Sequence, residues 1–287
     1  MEETHMVIDF HTHSFPPDIA KKALAKLSAG AHIMPYTDGT LTGLVSSMKQ
    51  AGIDYSVLLP VVTNPSHQET VNLYAIECCE SAHKTGVFSF GGIHPENDNY
   101  KEILRFLAEH GVKGIKLHPV FQGVDIDDIR YQRIVSYANE CGLFVLTHAG
   151  YDIGFPGWEQ SSPAKILRLI QAVQPDKLIL AHMGGWGSHK EVQELLLGQP
   201  IYLDTSFSTA DLYTAEGTLN QECTSQQLSM ERFCSMVRAH GADRILFGSD
   251  SPWASQKDAV LDLQHANLTD EEKEKILGGN AAVLLGL

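Results

Sequence analysis

The feature that most constrains this chain is a regular alternation of short apolar runs with longer amphipathic segments. The runs are apolar almost throughout, as expected for parallel strands that are covered on both faces. The eight runs span residues 6–10, 55–60, 87–93, 112–117, 143–147, 177–181, 201–203 and 244–248. Between them, apolar side chains recur at helical spacing, for example at Leu41, Leu44 and Met48. Eight strand–helix units in 287 residues predict either a closed (β/α)8 barrel or an open, doubly wound sheet.

The junctions between these segments support the alternation. Glycine can adopt the left-handed conformation that ends a helix and turns the chain back toward the sheet. Four predicted helices end at a glycine that is followed by a strand: Gly52, Gly86, Gly111 and Gly142. No low-complexity linker or shift in composition interrupts this order, so we expect residues 1–287 to form a single domain.

Polar residues at the ends of the predicted strands distinguish the two folds. Candidate metal ligands follow strands along the whole chain, namely His11, His13, His94, Lys116, His118, His148, His182, Asp204 and Asp250. A barrel brings all eight strand ends to one face, whereas a doubly wound sheet uses the few strands at its switch point. The sequence also contains neither of the glycine-rich phosphate motifs GxGxxG and GxxxxGKS/T. We therefore predict an α/β fold of the TIM (β/α)8 barrel type.

The histidines and one aspartate have the pattern of a metal site. His11 and His13 are two residues apart at the end of a strand, so both imidazoles point to the same side and can bind one ion. His148 and His182 each close an apolar run and are followed by small residues, which leave room for a substrate. Asp250 also ends an apolar run, where an unpaired carboxylate is costly to bury. These nitrogen and oxygen donors suit zinc, with manganese as the alternative.

Lys116 leaves three interpretations open. As a buried amine with a lowered pKa it could add carbon dioxide and bridge two metal ions as a carbamate. As an ammonium it could bind a substrate carboxylate, or it could pair with an acidic residue. His118 shares its face of the strand and is a candidate substrate-binding residue, although it could also be a turn residue. Trp253 follows a strand end and is a candidate for an aromatic wall of the substrate site.

Charge and cysteine content limit the partners of the protein. The chain has 21 Lys and Arg against 35 Asp and Glu, a formal net charge of −14, which disfavours nucleic acid and anionic membranes. No stretch approaches the length of a transmembrane helix. The five cysteines form no CxxC pair, which predicts reduced thiols and a cytoplasmic location. We expect a small-molecule substrate, and the sequence leaves a homo-oligomer open.

As a set, the segments HTH, KLHP, THAG, AHMGG, FGSDSPW and GGNAAVLLG resemble the amidohydrolase superfamily. The greatest similarity is to the amidohydrolase-2 group, which includes aminocarboxymuconate semialdehyde decarboxylase and related decarboxylases and lactonases. The resemblance implies a metal ion, usually zinc, held by His11, His13, His148 and Asp250, with His182 as a catalytic residue or further ligand. KLHP also resembles the lysine-bearing strand of dihydroorotases. That similarity would make Lys116 a ligand, so one zinc ion or two remain open.

These residues predict a metal-dependent hydrolase. A metal-activated water would attack a small amide, cyclic amide, lactone or ester. Asp250 would accept the proton of that water, and His182 would polarise the substrate carbonyl. One alternative is a metal-dependent, non-oxidative decarboxylase of an unsaturated or aromatic carboxylic acid. Another is a metal-binding barrel without catalytic activity.

Overall fold

The structure, a computed structural model, describes residues 6–287 of the chain. These residues contain short strands: β1 Ile8–Thr12, β2 Tyr55–Leu58, β3 Val87–Ser89, β4 Gly91–Gly92, β5 Gly114–Leu117, β6 Phe144–Thr147, β7 Leu178–Leu180, β8 Tyr202–Asp204 and β9 Ile245–Leu246.

Helices alternate with the strands, as the sequence predicts. Their bounds are α1 Pro17–Ala31, α2 Leu41–Ala51, α3 Gln68–Thr85, α4 Tyr100–Glu109, α5 Pro119–Gln122, α6 Ile129–Glu140, α7 Pro163–Val173, α8 His189–Leu195, α9 Gln221–Thr224, α10 Met230–His240, α11 Gln256–His265, α12 Asp270–Glu274 and α13 Asn280–Leu285. Short 3₁₀ turns lie at Pro65–His67, His182–Gly184 and Ala242–Arg244, and a π-helical turn lies at Lys275–Gly279.

Each predicted strand is present, but the third is divided in two. The sequence predicts one run over residues 87–93, whereas the structure separates β3 from β4 at Phe90. At the start of β4, Gly91 packs closely against α4, because a Cβ there would lie only 2.6 Å from Cδ1 of Leu107. β4 pairs with β5.

The described chain forms two compact units. Unit 1 comprises the chain up to Val57 together with Asp204–Leu287, and unit 2 comprises Leu58–Leu203. The unit boundaries fall within β2 and β8. The single domain expected from the sequence stays a prediction.

Unit 2 is built around a parallel sheet with the strand order β4, β5, β6, β7, β8. Ile115 of β5 pairs with Val145 of β6, and Leu146 pairs with Ile179 of β7. All four side chains are fully buried, although neighbours along a strand face opposite sides of the sheet. Burying each contributes about 1.5–3 kcal/mol. Both faces of the sheet are thus covered, as the continuous apolar runs predict.

In unit 1, β1 runs beside the segment that follows β9. The Asp250 N–H donates to the His11 carbonyl at 2.9 Å, and the His13 N–H donates to the Ser251 carbonyl at 2.6 Å. These backbone hydrogen bonds fix the HTH segment next to Asp250. The two motifs are distant in sequence but adjacent within unit 1.

The C-terminal GGNAAVLLG segment has a packing role in unit 1. Gly278 lies in the π-helical turn, against the start of β1. A Cβ at this position would overlap the carbonyl oxygen of Met6. Glycine is therefore required for the turn to approach the β1 backbone.

Two further observations concern the described residues. None of their helices has the length and apolar content needed to cross a lipid bilayer. All five cysteines are free thiols.

Candidate metal centre

His11 and His13 present their ring nitrogens to each other at the end of β1. His11 belongs to the strand and is 1% exposed, and His13 follows the strand directly. Alternation along the strand puts both side chains on one side, as predicted. Their Nε2 atoms are 3.2 Å apart, and their rings meet edge to face with centroids 5.1 Å apart.

Asp250 completes a group of three donor atoms with these histidines. Its Oδ1 lies 3.1 Å from Nε2 of His13 and 3.3 Å from Nε2 of His11. Two ligand atoms bound to a tetrahedral zinc ion at about 2.1 Å lie about 3.4 Å apart. The three atoms could therefore bind the same ion, and two imidazole nitrogens with one carboxylate oxygen fit zinc or manganese.

A buried carboxylate sets the tautomer of His11. Nδ1 of His11 lies 2.8 Å from Oδ2 of Asp204, at the end of β8. Asp204 is fully buried, and its other oxygen accepts the hydroxyl hydrogen of Ser206. Nδ1–H of His11 is thus the donor to Asp204, which leaves the Nε2 lone pair for a metal ion. The sequence makes Asp204 a candidate metal ligand at a strand end, but it does not predict the pairing with His11, because the two residues are 193 positions apart.

A second buried carboxylate, Asp9, lies on the same face of β1 as His11, two residues before it. Its burial raises the pKa of the carboxyl to about 6, and hydrogen bonds from Ser249 and Gln256 oppose that rise. Asp9 is therefore mainly ionised at neutral pH. It is 0% exposed, so this charge depends on hydrogen bonds for its stability.

In unit 2, His148 follows β6 and His182 follows β7. One ring nitrogen of each residue lies close to a ring nitrogen of the other. Nδ1 of His148 is 3.1 Å from Nε2 of His182. The opposite nitrogen of His148, Nε2, is 3.1 Å from the carbonyl oxygen of Tyr151, to which it donates. A metal-binding histidine commonly donates its other ring N–H to a carbonyl or carboxylate. Nδ1 of His148 is therefore the atom available as a ligand.

Lys116 and His118 come from β5 and the residue that follows it. Lys116 is 1% exposed, so its amine is buried as the sequence predicts. The His118 ring stacks on the His148 ring with centroids 4.3 Å apart, and its Nε2 lies 3.5 Å from Oδ2 of Asp152. Asp152 is not predicted from the sequence, because it lies in the loop after β6 where no periodic pattern marks it.

His118, His148 and Asp152 also have donor atoms close enough for a metal ion. We interpret this group differently, because Nε2 of His148 faces the Tyr151 carbonyl and its other nitrogen, Nδ1, faces His182. His118 also accepts the Phe121 N–H through Nδ1, which leaves the hydrogen of a neutral ring on Nε2, toward Asp152. A histidine–carboxylate pair accounts for this geometry better than a second metal site.

Buried amide and hydroxyl groups support the loop that carries His118. Oε1 of Gln122 accepts hydrogen bonds from the backbone N–H of His118 at 3.1 Å and from the Tyr131 hydroxyl at 2.7 Å. Nε2 of Gln122 donates to the carbonyls of Val62 and Ile93. Because every polar atom of this amide is bonded, the loop has one defined position.

Trp253, the third predicted substrate residue, is tied to Asp250 in unit 1. Its backbone N–H donates to the Asp250 carbonyl at 2.8 Å. The structure thus brings His11, His13 and Asp250 together in unit 1, and Trp253 lies in the turn that follows Asp250. In unit 2 it brings together His118, His148 and His182. The roles assigned to these residues stay predictions.

Comparison with known proteins identifies a family. Residues 8–287 match the sequence model of the family described as amidohydrolase. This match covers nearly the whole chain and confirms the resemblance seen in its motifs. Among proteins of curated function, none matches the chain by sequence.

Solved structures share the fold at low sequence identity. An uncharacterised TIM-barrel protein from Bordetella bronchiseptica has a TM-score of 0.75 and 17% identity, covering 98% of both chains. A 5-carboxyvanillate decarboxylase from Novosphingobium aromaticivorans with bound manganese has a TM-score of 0.69 and 13% identity, covering 100% of this chain and 98% of its own. A probable 2-pyrone-4,6-dicarboxylic acid hydrolase from Acinetobacter baumannii has a TM-score of 0.66 and 16% identity, covering 98% of this chain and 99% of its own. Such likeness shows the fold alone, and it confirms the predicted TIM (β/α)8 barrel class.

Proposed function

The chain belongs to the amidohydrolase family, whose members are metal-dependent enzymes, and we propose that it is a metal-dependent hydrolase of a small amide, cyclic amide, lactone or ester. The observation that carries this proposal is the group formed by His11, His13 and Asp250. Three donor atoms within 3.1–3.3 Å of one another, with the His11 tautomer set by Asp204, are suited to a divalent ion.

In unit 1, the atoms proposed to bind the metal ion are Nε2 of His11, Nε2 of His13 and Oδ1 of Asp250. In unit 2, the proposed ligand atoms are Nδ1 of His148 and Nε2 of His182. Zinc is the first choice of ion and manganese the second, and one ion or two remain open. A bound divalent ion would supply a water of lowered pKa and a positive charge beside the substrate oxygen.

The protein residues would handle the protons. Asp250 would ligate through Oδ1, so Oδ2 is the oxygen that would accept a proton from the attacking water and return it to the leaving group. His182 has an alternative role: if its Nε2 does not ligate an ion, it would donate a hydrogen bond to the substrate carbonyl as negative charge develops on that oxygen. We assign substrate contacts to Lys116, His118 and Trp253.

The second candidate function is non-oxidative decarboxylation of an unsaturated or aromatic carboxylic acid. The buried amine of Lys116 favours it, because an inward ammonium is suited to hold a substrate carboxylate. The structural neighbours also include several decarboxylases. In that reaction Asp250 would take a proton from water and pass it to the substrate carbon, after which the bond between that carbon and the carboxylate would break to release carbon dioxide.

A substrate panel tests these proposals. Protein stripped of metal and then reloaded with zinc or manganese is offered lactones, cyclic amides, esters and unsaturated or aromatic acids. Lactone and ester cleavage are followed by acid release, amide cleavage by formation of the free amine, and decarboxylation by carbon dioxide release. Stripped protein is the control.

The hydrolase proposal expects metal-dependent acid release from a lactone or ester, or metal-dependent amine formation from a cyclic amide. Metal-dependent carbon dioxide release without hydrolysis would instead establish the decarboxylase. A protein that binds metal tightly but turns over neither class would fit the non-catalytic alternative.

A further inference from the structure

The carboxylate of Asp9 is fully occupied by hydrogen bonds within unit 1. Its Oδ1 accepts the backbone N–H of Ser249 at 2.9 Å and that of His11 at 3.2 Å. Its Oδ2 accepts the Ser249 hydroxyl at 2.6 Å and Nε2 of Gln256 at 2.8 Å. A carboxylate offers about four acceptor positions, and all four are used here. Asp9 itself is therefore not a metal ligand in this arrangement.

These hydrogen bonds connect three segments whose relative positions determine the geometry of the metal centre. His11 is on β1, Ser249 directly precedes Asp250, and Gln256 begins α11. The Ser249 hydroxyl also accepts the N–H of Ser251 at 3.0 Å. Asp9 thus fixes the residues on both sides of Asp250, one directly and the other through Ser249.

Asp250 requires such support because its backbone is left-handed. Its φ is 71°, a conformation that a residue with a side chain keeps only where its surroundings impose it. The turn must hold this shape for Oδ1 to face His11 and His13. Removing the hydrogen bonds to Ser249 would let the turn relax and move Oδ1 away from the histidines.

We propose that Asp9 is the positioning residue of the metal centre, holding Asp250 in its left-handed turn against the HTH segment through Ser249 and Gln256. This inference rests on the proposed metal-binding function. It concerns the affinity for the ion and not the chemical step. Loss of a residue that orients metal ligands typically weakens binding 10- to 100-fold.

The test compares zinc dissociation constants measured by competition with a chelator. Asp9→Asn replaces an acceptor oxygen by a donor that faces the Gln256 amide, and zinc binding is expected to weaken about 10- to 100-fold. In Asp9→Asn with Gln256→Glu, a carboxylate again faces an amide, and most of the affinity should return. Ile8→Val, a buried neighbour on β1 without these hydrogen bonds, is the destabilised control and should bind zinc like the wild type.

The inference is overturned if folded Asp9→Asn binds zinc within twofold of the wild type. If Asp9→Asn does not fold, Ser249→Ala replaces it, because it removes only the hydroxyl that links Asp9 to Ser251. Unchanged zinc affinity in that variant would also overturn the inference.

A wild type that binds neither zinc nor manganese would overturn the proposed function instead. Hydrogen exchange of metal-free protein then still tests the positioning role. Faster exchange over residues 248–253 in Asp9→Asn or Ser249→Ala, but not in Ile8→Val, supports it. Equal exchange in these variants contradicts it.

Discussion

At the scale of single residues, Asp250 combines backbone strain with a site for chemistry. A left-handed conformation costs a residue with a side chain about 1–3 kcal/mol. Hydrogen bonds at both of its backbone groups, from Trp253 and to His11, stabilise the turn. Such strain is common where a side chain must be held in a functional direction, and here it directs Oδ1 to the two histidines.

The role of Asp250 leads to a first prediction. Asp250→Asn keeps an oxygen for ligation but cannot accept a proton, so turnover measured at saturating metal should fall by roughly 10²–10⁴. Asp258→Asn, at an exposed carboxylate of α11, is the matched control and should keep full activity. Near-normal turnover of Asp250→Asn would reject the general-base role.

Lys116 gives a second prediction, which separates the metal-site alternatives. If its amine is a bridging carbamate, Lys116→Ala should lower metal content from about two ions to one or fewer, and added small carboxylic acids should partly restore it. If it is an ammonium that binds substrate, metal content should stay constant and the Michaelis constant should rise. Metal analysis and steady-state kinetics distinguish the two. Lys113→Ala, at an exposed lysine near β5, should change neither quantity.

At the scale of elements, the approach of the π-helical turn to β1 depends on one missing side chain. Gly278→Ala puts a methyl group onto the carbonyl oxygen of Met6, and such overpacking should lower the free energy of unfolding by at least about 2 kcal/mol. Gly30→Ala is the control within a helix, where a methyl group meets nothing within 4 Å. It should raise stability by about 0.5–1 kcal/mol, because alanine favours the helix. Urea denaturation measures both, and equal effects would contradict the packing argument.

The start of α6 gives a prediction about pH. Asp128 caps this helix by accepting the Arg130 N–H at 2.9 Å, and its hydrogen bonds to the Arg130 guanidinium lower its pKa to about 2. A lowered pKa contributes stability above the unfolded value near pH 4, and this contribution is lost as the pH falls toward 2.

Asp128→Ala should therefore cost about 1 kcal/mol of unfolding free energy at pH 7. The difference from the wild type should shrink below about pH 4. Asp128→Asn keeps the cap without the charge, so its difference from Asp128→Ala should not change with pH. Urea denaturation across this pH range is the measurement, and a constant cost of Asp128→Ala at all pH values would contradict the charge argument.

Local signals in the sequence predict elements well, whereas partners distant in the chain are not predictable from it. The spacing of His11 and His13 and the glycines that end helices act within a few residues, and the structure has them as expected. The hydrogen bonds of His11 with Asp204 and of Asp9 with Gln256 span 193 and 247 residues. No periodicity marks such pairs.

At the scale of the whole molecule, the fold should not depend on the metal. A chain of 287 residues buries roughly three-quarters of the surface that its unfolded form exposes, so its core is sufficient for folding. Metal binding and folding can therefore be measured separately. This separation makes the metal content of the purified protein a test of function and not of stability.

The most direct test of the central claim is elemental analysis of the wild type beside the His11→Ala, His13→Ala double variant. The wild type should contain at least about one equivalent of zinc or manganese. The double variant should lose most of that metal while its circular dichroism shows an intact fold. Less than about a tenth of an equivalent in the wild type, with no activity restored by added metal, would contradict the account.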